Sequence, residues 1–153
     1  SYWGNTVPTS SNFYVGGTSS NVHNESSKNY VAYLWSEVAG FSKFGSYTGG
    51  GGTDGPFVFC GFRPRWIIFK SSTLTSTDWM TFDTARNSFN VMNLRLDANS
   101  NGQEATSGST DYVFDVLSNG FKIRGTSNNF NNTGSTYIFA AFAESPFKYA
   151  LAR

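Results

Sequence analysis

The chain has 153 residues, the length of one ordinary domain, with charged residues at 14%, against a usual ~25%, and a formal net charge of +1. Near-neutrality offers no electrostatic pull toward nucleic acid or an anionic membrane. No apolar run approaches the ~20 residues of a membrane-spanning helix. Aromatics make up 18% of the chain, as 15 Phe, 8 Tyr and 4 Trp, which is too much apolar mass for a disordered segment. We therefore expect a folded core, no nucleic-acid partner and no membrane insertion.

Taken in order, the elements read as strands. The opening Ser1-Tyr2-Trp3 shows no signal-peptide pattern and reads as the interior of a longer protein. Strands are predicted over 12–15, 30–38, 45–48, 57–62, 65–70, 79–83, 112–117, 120–124 and 137–144, where β-branched and aromatic residues concentrate. Breakers separate them: Gly49-Gly50-Gly51-Gly52, Asp54-Gly55-Pro56, Asn101-Gly102 and Ser118-Asn119-Gly120. Asn119-Gly120 between two apolar runs predicts a hairpin. The alternation of Met92, Leu94 and Leu96 suits a strand, with a short helical turn expected over 84–88. Residues 99–110 are polar and predict an exposed loop. These signals predict an all-β fold, an antiparallel β-sandwich or jelly-roll-like module of two sheets.

An internal repeat shapes the expected domain boundaries. Tyr30-Val-Ala-Tyr-Leu-Trp-Ser-Glu37 parallels Tyr137-Ile-Phe-Ala-Ala-Phe-Ala-Glu144, and Phe13–Asn21 parallels Phe121–Asn129. A strand–turn–strand hairpin thus occurs twice. Residues 1–38 are expected to be the C-terminal strands of an upstream homologous repeat. Residues 39–56 then form a Gly-rich connector, and 57–153 a complete β-sandwich. An incomplete repeat buries little core alone, so 1–38 should add strands to the rest or to a neighbouring chain.

The motifs carry a resemblance. They are Val38-Ala-Gly-Phe-Ser-Lys-Phe-Gly-Ser-Tyr-Thr48, Gly61-Phe-Arg-Pro-Arg-Trp66, Trp79-Met-Thr-Phe-Asp-Thr-Ala-Arg86 and Ala140-Ala-Phe-Ala-Glu-Ser-Pro-Phe-Lys148. Together they resemble a domain of unknown function near the C-termini of tailed-bacteriophage tail and fibre proteins, often beside laminin-G-like (concanavalin-like) domains. The resemblance covers essentially the whole chain and implies a virion location, other fibre or tail proteins as partners, and a homotrimer. It carries no established activity.

Candidate chemistry is sparse. Cys60 is the single cysteine and His23 the single histidine, so the expected role of Cys60 is that of a small buried hydrophobe. Asp54-Gly55-Pro56 and the cluster Asp97, Asn99, Asn101 and Glu104 are oxygen-rich. Asp97-Ala-Asn-Ser-Asn-Gly102 matches the first half of a calcium loop, but Gly108 stands where the twelfth-position acid is needed. Ordinary Asx turns are the simpler reading, and no metal or cofactor is expected. The sequons Asn24-Glu-Ser26 and Asn131-Asn-Thr133 place both turns of the repeated hairpin at the surface.

A glycosidase needs two carboxylates flanking one bond. Asp78, Asp83, Asp111, Asp115, Glu37 and Glu144 supply carboxylates but no motif. For Asp83 and Asp115 a salt bridge to Arg63, Arg86 or Arg124 is the simpler role, and the chain is expected not to be an enzyme. Arg63-Pro64-Arg65-Trp66 could offer an Arg fork to an acidic sugar. Structurally, Pro64 opens a strand and Trp66 alternates into the core with Ile68.

Carbohydrate binding uses exposed aromatics as stacking surfaces with polar groups alongside. The candidate ligand-binding residues are Tyr47, Trp79, Phe89, Phe130, Arg63 and Arg65, with no catalytic and no metal-binding set. Together with the resemblance, they predict a fibre domain that recognises host surface polysaccharide or an outer-membrane protein. The alternatives are a purely structural virion module and a polysaccharide depolymerase.

Overall fold

The structure is a computed structural model that describes residues 6–16, 25–108 and 111–144. The chain divides into two compact units, Ser1–Trp35 and Ser36–Arg153.

Nine strands among the described residues form two antiparallel sheets. They are β1 (Ser42–Thr48), β2 (Phe57–Phe59), β3 (Pro64–Ser71), β4 (Met80–Asp83), β5 (Leu94–Asp97), β6 (Ala105–Thr106), β7 (Phe114–Leu117), β8 (Gly120–Ile123) and β9 (Thr136–Ala143). The larger sheet runs β1-β9-β3-β4-β5-β6 and the smaller β2-β8-β7. This is an all-β sandwich.

Alternation along each strand builds the core, because successive side chains leave opposite faces of a strand. From the larger sheet come Tyr47, Ile67, Phe69, Met80, Phe82, Tyr137, Phe139 and Ala141. From the smaller come Val58, Phe114, Val116, Phe121 and Ile123, and all of these are buried. Phe69 is the hub. Its ring meets those of Tyr47, Phe82, Phe114, Phe121 and Phe130 at 5.2 to 6.2 Å, each edge to face. That geometry sets the positive ring edge against a negative face, worth about 0.5–1.5 kcal/mol per pair beyond burial.

The expected hairpin joins β7 to β8, with Leu117 opposite Gly120 and Ser118-Asn119 at its tip. Gly120 serves packing. A Cβ there would collide with the Val58 carbonyl of β2, so any larger residue would push β2 off the sheet.

Several expectations are corrected. Residues 12–15 and 30–37 carry no strand, and among the described residues neither sheet takes a strand from before Ser42. The first unit's described residues are mostly exposed. Their contacts include a turn in which the Thr9 N–H donates to the Asn12 carbonyl, and a stack of Tyr33 on Trp35 at 6.2 Å. Likeness of sequence alone does not make 30–37 a strand. Tyr137–Ala143 is a strand because β1 and β3 bond it on both sides, and among the described residues no such ladder flanks 30–37.

The stretch read as a connector contains β1, which pairs with β9 along its whole length. The later copy of the repeat is not a hairpin either, since β8 and β9 lie in different sheets. Between them the four-residue helix α1 (Asn128–Asn131) carries Phe130 into the core. The short helical turn expected over 84–88 is present as a single turn, in which the Asn87 N–H donates to the Asp83 carbonyl at 3.2 Å while Asp83 Oδ1 accepts the N–H groups of Ala85 and Arg86. Ala105–Thr106 of the polar loop adds to the sheet edge as β6.

Pro64 does open β3, but Trp66 and Ile68 do not face the core. An irregularity between Pro64 and Trp66 shifts the register, so Ile67 and Phe69 point inward. Trp66 instead packs on Phe142 at 5.6 Å on the outer face, beside Phe41 and Phe44.

Candidate functional site

The six predicted ligand-binding residues separate into three places. Tyr47 and Phe130 are buried and corrected as stacking surfaces. Tyr47 lies in β1, where its hydroxyl donates to the Phe130 carbonyl at 2.8 Å and its ring stacks on Tyr137 at 5.1 Å. Burial and the neighbouring Tyr137 push the Tyr47 phenol well above its ordinary pKa. Loop composition around both residues hid the fact that each is aimed between the sheets.

Arg63, Arg65 and Phe89 lie at the end of the larger sheet where β3 begins and β4 finishes. Arg65 faces Glu144 at 3.6 Å and donates to the Thr84 hydroxyl at 3.3 Å. Phe89 is 84% exposed. Its loop is pinned on both sides. Asn87 Oδ1 accepts the N–H groups of Asn93 and Leu94, and Asn90 bonds both the N–H and the carbonyl of Val116.

Trp79 occupies the opposite end, just before β4, and is 37% exposed. Its placement is over-determined. The Trp79 N–H donates to Asn99 Oδ1 at 2.7 Å, and its carbonyl accepts the Ala98 N–H at 2.8 Å. Asn99 Nδ2 in turn donates to Asp78 at 2.9 Å. Lys70, at the end of β3, places its ammonium 6.0 Å from the Trp79 ring centre and donates to the Thr77 carbonyl. The result is a partly exposed indole on a pinned main chain, with an ammonium 6.0 Å from its ring centre and a carboxylate and an amide in the bonds that hold its loop. Sequence reasoning found Trp79 but missed Lys70, Asp78 and Asn99 as its surroundings. Asp78 is its chain neighbour, but Lys70 and Asn99 come from distant segments that antiparallel pairing of β3, β4 and β5 brings together.

The oxygen-rich residues read as calcium candidates have protein partners. Asp97 pairs with Arg95 at 3.1 Å, Asn99 holds Trp79, and Glu104 pairs with Arg86. Asp54 pairs with Lys122 at 2.7 Å, which holds its carboxyl below the ordinary range. The carboxylates considered for catalysis are likewise paired. Asp83 meets Arg86, Asp115 meets Arg124 at 2.7 Å, and Glu37 meets Lys43 at 2.8 Å. Asp111 lines a shallow cavity of about 160 Å³ with Arg95, Thr106, Ser107 and Tyr112. Arg95 fills part of this cavity by stacking 4.1 Å over Tyr112.

Cys60 is buried, and burial pushes its thiol up to about 12. His23 and Asn24 lie outside the described residues. Asn131 corrects the expectation for its sequon, since it is fully buried and not at the surface. Its side chain organises the Gly-rich loop. Oδ1 accepts the Gly50 N–H at 2.7 Å, and Nδ2 donates to the carbonyls of Gly52 at 2.9 Å and Gly125 at 2.7 Å. Gly51 adopts φ +76°, and a Cβ there would strike the Thr133 hydroxyl.

Fold and surface together define an aromatic-rich β-sandwich domain with a partly exposed indole, on a bonded main chain, at a loop end. The chain belongs to the family described as Domain of unknown function (DUF7483), whose model matches residues 1–146 and so spans both units. No curated protein and no solved structure matches it.

Proposed function

We propose that this chain is a non-enzymatic recognition domain of a tailed-phage fibre or tail, and that the loop end around Trp79 binds host surface glycan. The observation that carries the reading is a partly exposed indole whose main chain is bonded on both sides, with Lys70 6.0 Å from its ring and with Asp78 and Asn99 in the bonds that hold the loop. A sugar ring stacks its C–H face on an indole, and its hydroxyls need donors and acceptors at the rim. Preorganisation removes the ordering cost that a mobile aromatic would carry. The virion setting rests on the resemblance of the motifs quoted above, and partners there would be other fibre or tail proteins.

A purely structural virion role is the second reading, favoured by two exposed phenylalanines, Phe57 and Phe59, on an open sheet edge. The test is to measure binding of the purified chain to polysaccharide extracted from candidate host cells, and to assay the same mixtures for new reducing ends. Saturable binding with no cleavage is expected. Absence of binding to any extract favours the structural role, and release of oligosaccharide overturns the non-enzymatic reading.

A further inference from the structure

The smaller sheet has two edges, and they are treated differently. The β7 edge is closed. Asn90 bonds the N–H and carbonyl of Val116 with its side-chain amide, at 2.9 and 3.0 Å, and Met92 bridges Phe114. Among the described residues the β2 edge is open. Pro56 and Cys60 use their main-chain groups toward β8 and its turn, through Ile123 N–H to Pro56 carbonyl and Cys60 N–H to Asn119 carbonyl. Main-chain groups alternate direction along an antiparallel strand, so those of Phe57 and Phe59 point away from the sheet. An edge of this kind invites another strand unless charge, Pro or a bulge blunts it. Here it is flanked by aromatic rings, Phe57 being 45% and Phe59 61% exposed, while Val58 between them faces the core.

We propose that β2 pairs with β2 of a second copy of this chain, antiparallel about a two-fold axis at Val58. The edge is self-complementary in three respects. First, the two-fold sets Phe57 of each copy opposite Phe59 of the other, and the four outward main-chain groups of each strand find partners. Second, these are aromatic cross-strand pairs on the outer face, among the favourable pairs in sheets. Third, the charges match. The Asp54 carboxylate, 87% exposed and 2.7 Å from Lys122 of its own sheet, precedes the strand, and exposed Arg63, which enters no ion pair among the described residues, follows it. The two-fold carries each Asp54 toward Arg63 of the second copy. The result is a six-stranded sheet continuous across two copies, an isologous contact that closes on itself. The competing edge at β1 differs in that its outward aromatic, Phe44, is already packed on Phe142 at 5.7 Å, and Lys43, Gly45, Ser46 and Thr48 around it offer no ring to a second copy.

The test is sedimentation equilibrium on the full chain, alongside the double variant F57K/F59K and the charge variants D54R, R63D and D54R/R63D. Far-UV circular dichroism checks that each is folded. The wild type should dimerise, F57K/F59K should associate at least tenfold more weakly with an unchanged spectrum, and the two single charge reversals should weaken association. The combined reversal should restore it. A wild type that stays monomeric, a trimer indifferent to F57K/F59K, or charge reversals without rescue would each overturn the proposal.

Discussion

Asn131, fully buried at the end of α1, accepts the Gly50 N–H on its side-chain oxygen at 2.7 Å and so locks the four-glycine loop to the entry of β9. The same side chain satisfies the carbonyls of Gly52 and Gly125. Replacing it by Ala leaves three main-chain groups without their partner, that of Gly125 buried and those of Gly50 and Gly52 on exposed residues that water can reach. The expected loss is about 2–4 kcal/mol, since a buried group stripped of its partner costs about 1–3 kcal/mol and the two solvated groups add less. Urea unfolding of Asn131→Ala measures it. Burial also makes a second prediction of the same residue. Expressed in a glycosylating host, the folded chain should carry no glycan on Asn131, as intact-peptide mass spectrometry would show.

Phe69 is the second test of the packing. It is fully buried and touches five other rings edge to face. Phe69→Ala should cost about 3–5 kcal/mol, the range for large aromatic truncations in cores. Phe89→Ala, at an 84% exposed loop tip, should change stability by less than about 0.5 kcal/mol. Equal costs for the two would contradict the assignment of faces.

The thiol of Cys60 should be inert in the folded chain. With its pKa pushed up to about 12 by burial, almost no thiolate exists at pH 8. Reaction with a disulfide reagent should be at least about a thousandfold slower than in the unfolded chain, whose thiol returns to about 8.5. Fast labelling under native conditions would place Cys60 at the surface.

Two aspartates should titrate on opposite sides of the ordinary value of about 3.9. Burial pushes Asp83 up, but the hydrogen bonds from Arg86, side chain and N–H, and from the Ala85 N–H outweigh it, and the net shift is downward. Its contribution to stability is present above the ordinary pKa and lost as pH falls through the depressed folded value. Asp97 is raised, first by burial and then by Asp78, against the pull of Arg95. Its contribution is present below the ordinary pKa and lost as pH rises through the raised folded value. Carboxyl ¹³C titration from pH 7 to 2 should show Asp97 taking up its proton first and Asp83 last. The reverse order would contradict the placement of Arg86 and Arg95.

Eight strands were legible as apolar or alternating runs between Gly, Asn and Ser breakers. Runs predicted at 57–62, 65–70, 79–83, 112–117, 120–124 and 137–144 correspond to β2, β3, β4, β7, β8 and β9, the run at 45–48 to β1, and the alternation of Met92, Leu94 and Leu96 to β5. What the pattern could not specify was the face. One register shift after Pro64 reversed the expected directions of Trp66 and Ile67. Nor could it distinguish a strand from an unpaired apolar stretch, since that depends on a partner ladder distant in the chain, as with 30–37. The site was legible only as Trp79. Tyr47 and Phe130 have the composition of loop aromatics, and their burial follows from where β1 and α1 dock. Asn131 looked like a surface sequon because a buried, fully bonded amide has the same local sequence as an exposed one.

The most direct test of glycan recognition at Trp79 is to follow its indole N–H by NMR while titrating host polysaccharide. The resonances of Lys70, Asp78 and Asn99 would be observed in the same titration, and the Trp79→Ala variant titrated in parallel. The indole and its three neighbours should shift together and saturate. The variant, its fold intact, should bind at least about tenfold more weakly, a loss of ~1.4 kcal/mol or more. Saturable binding that leaves the Trp79 indole unmoved and is unchanged in the variant would contradict the account.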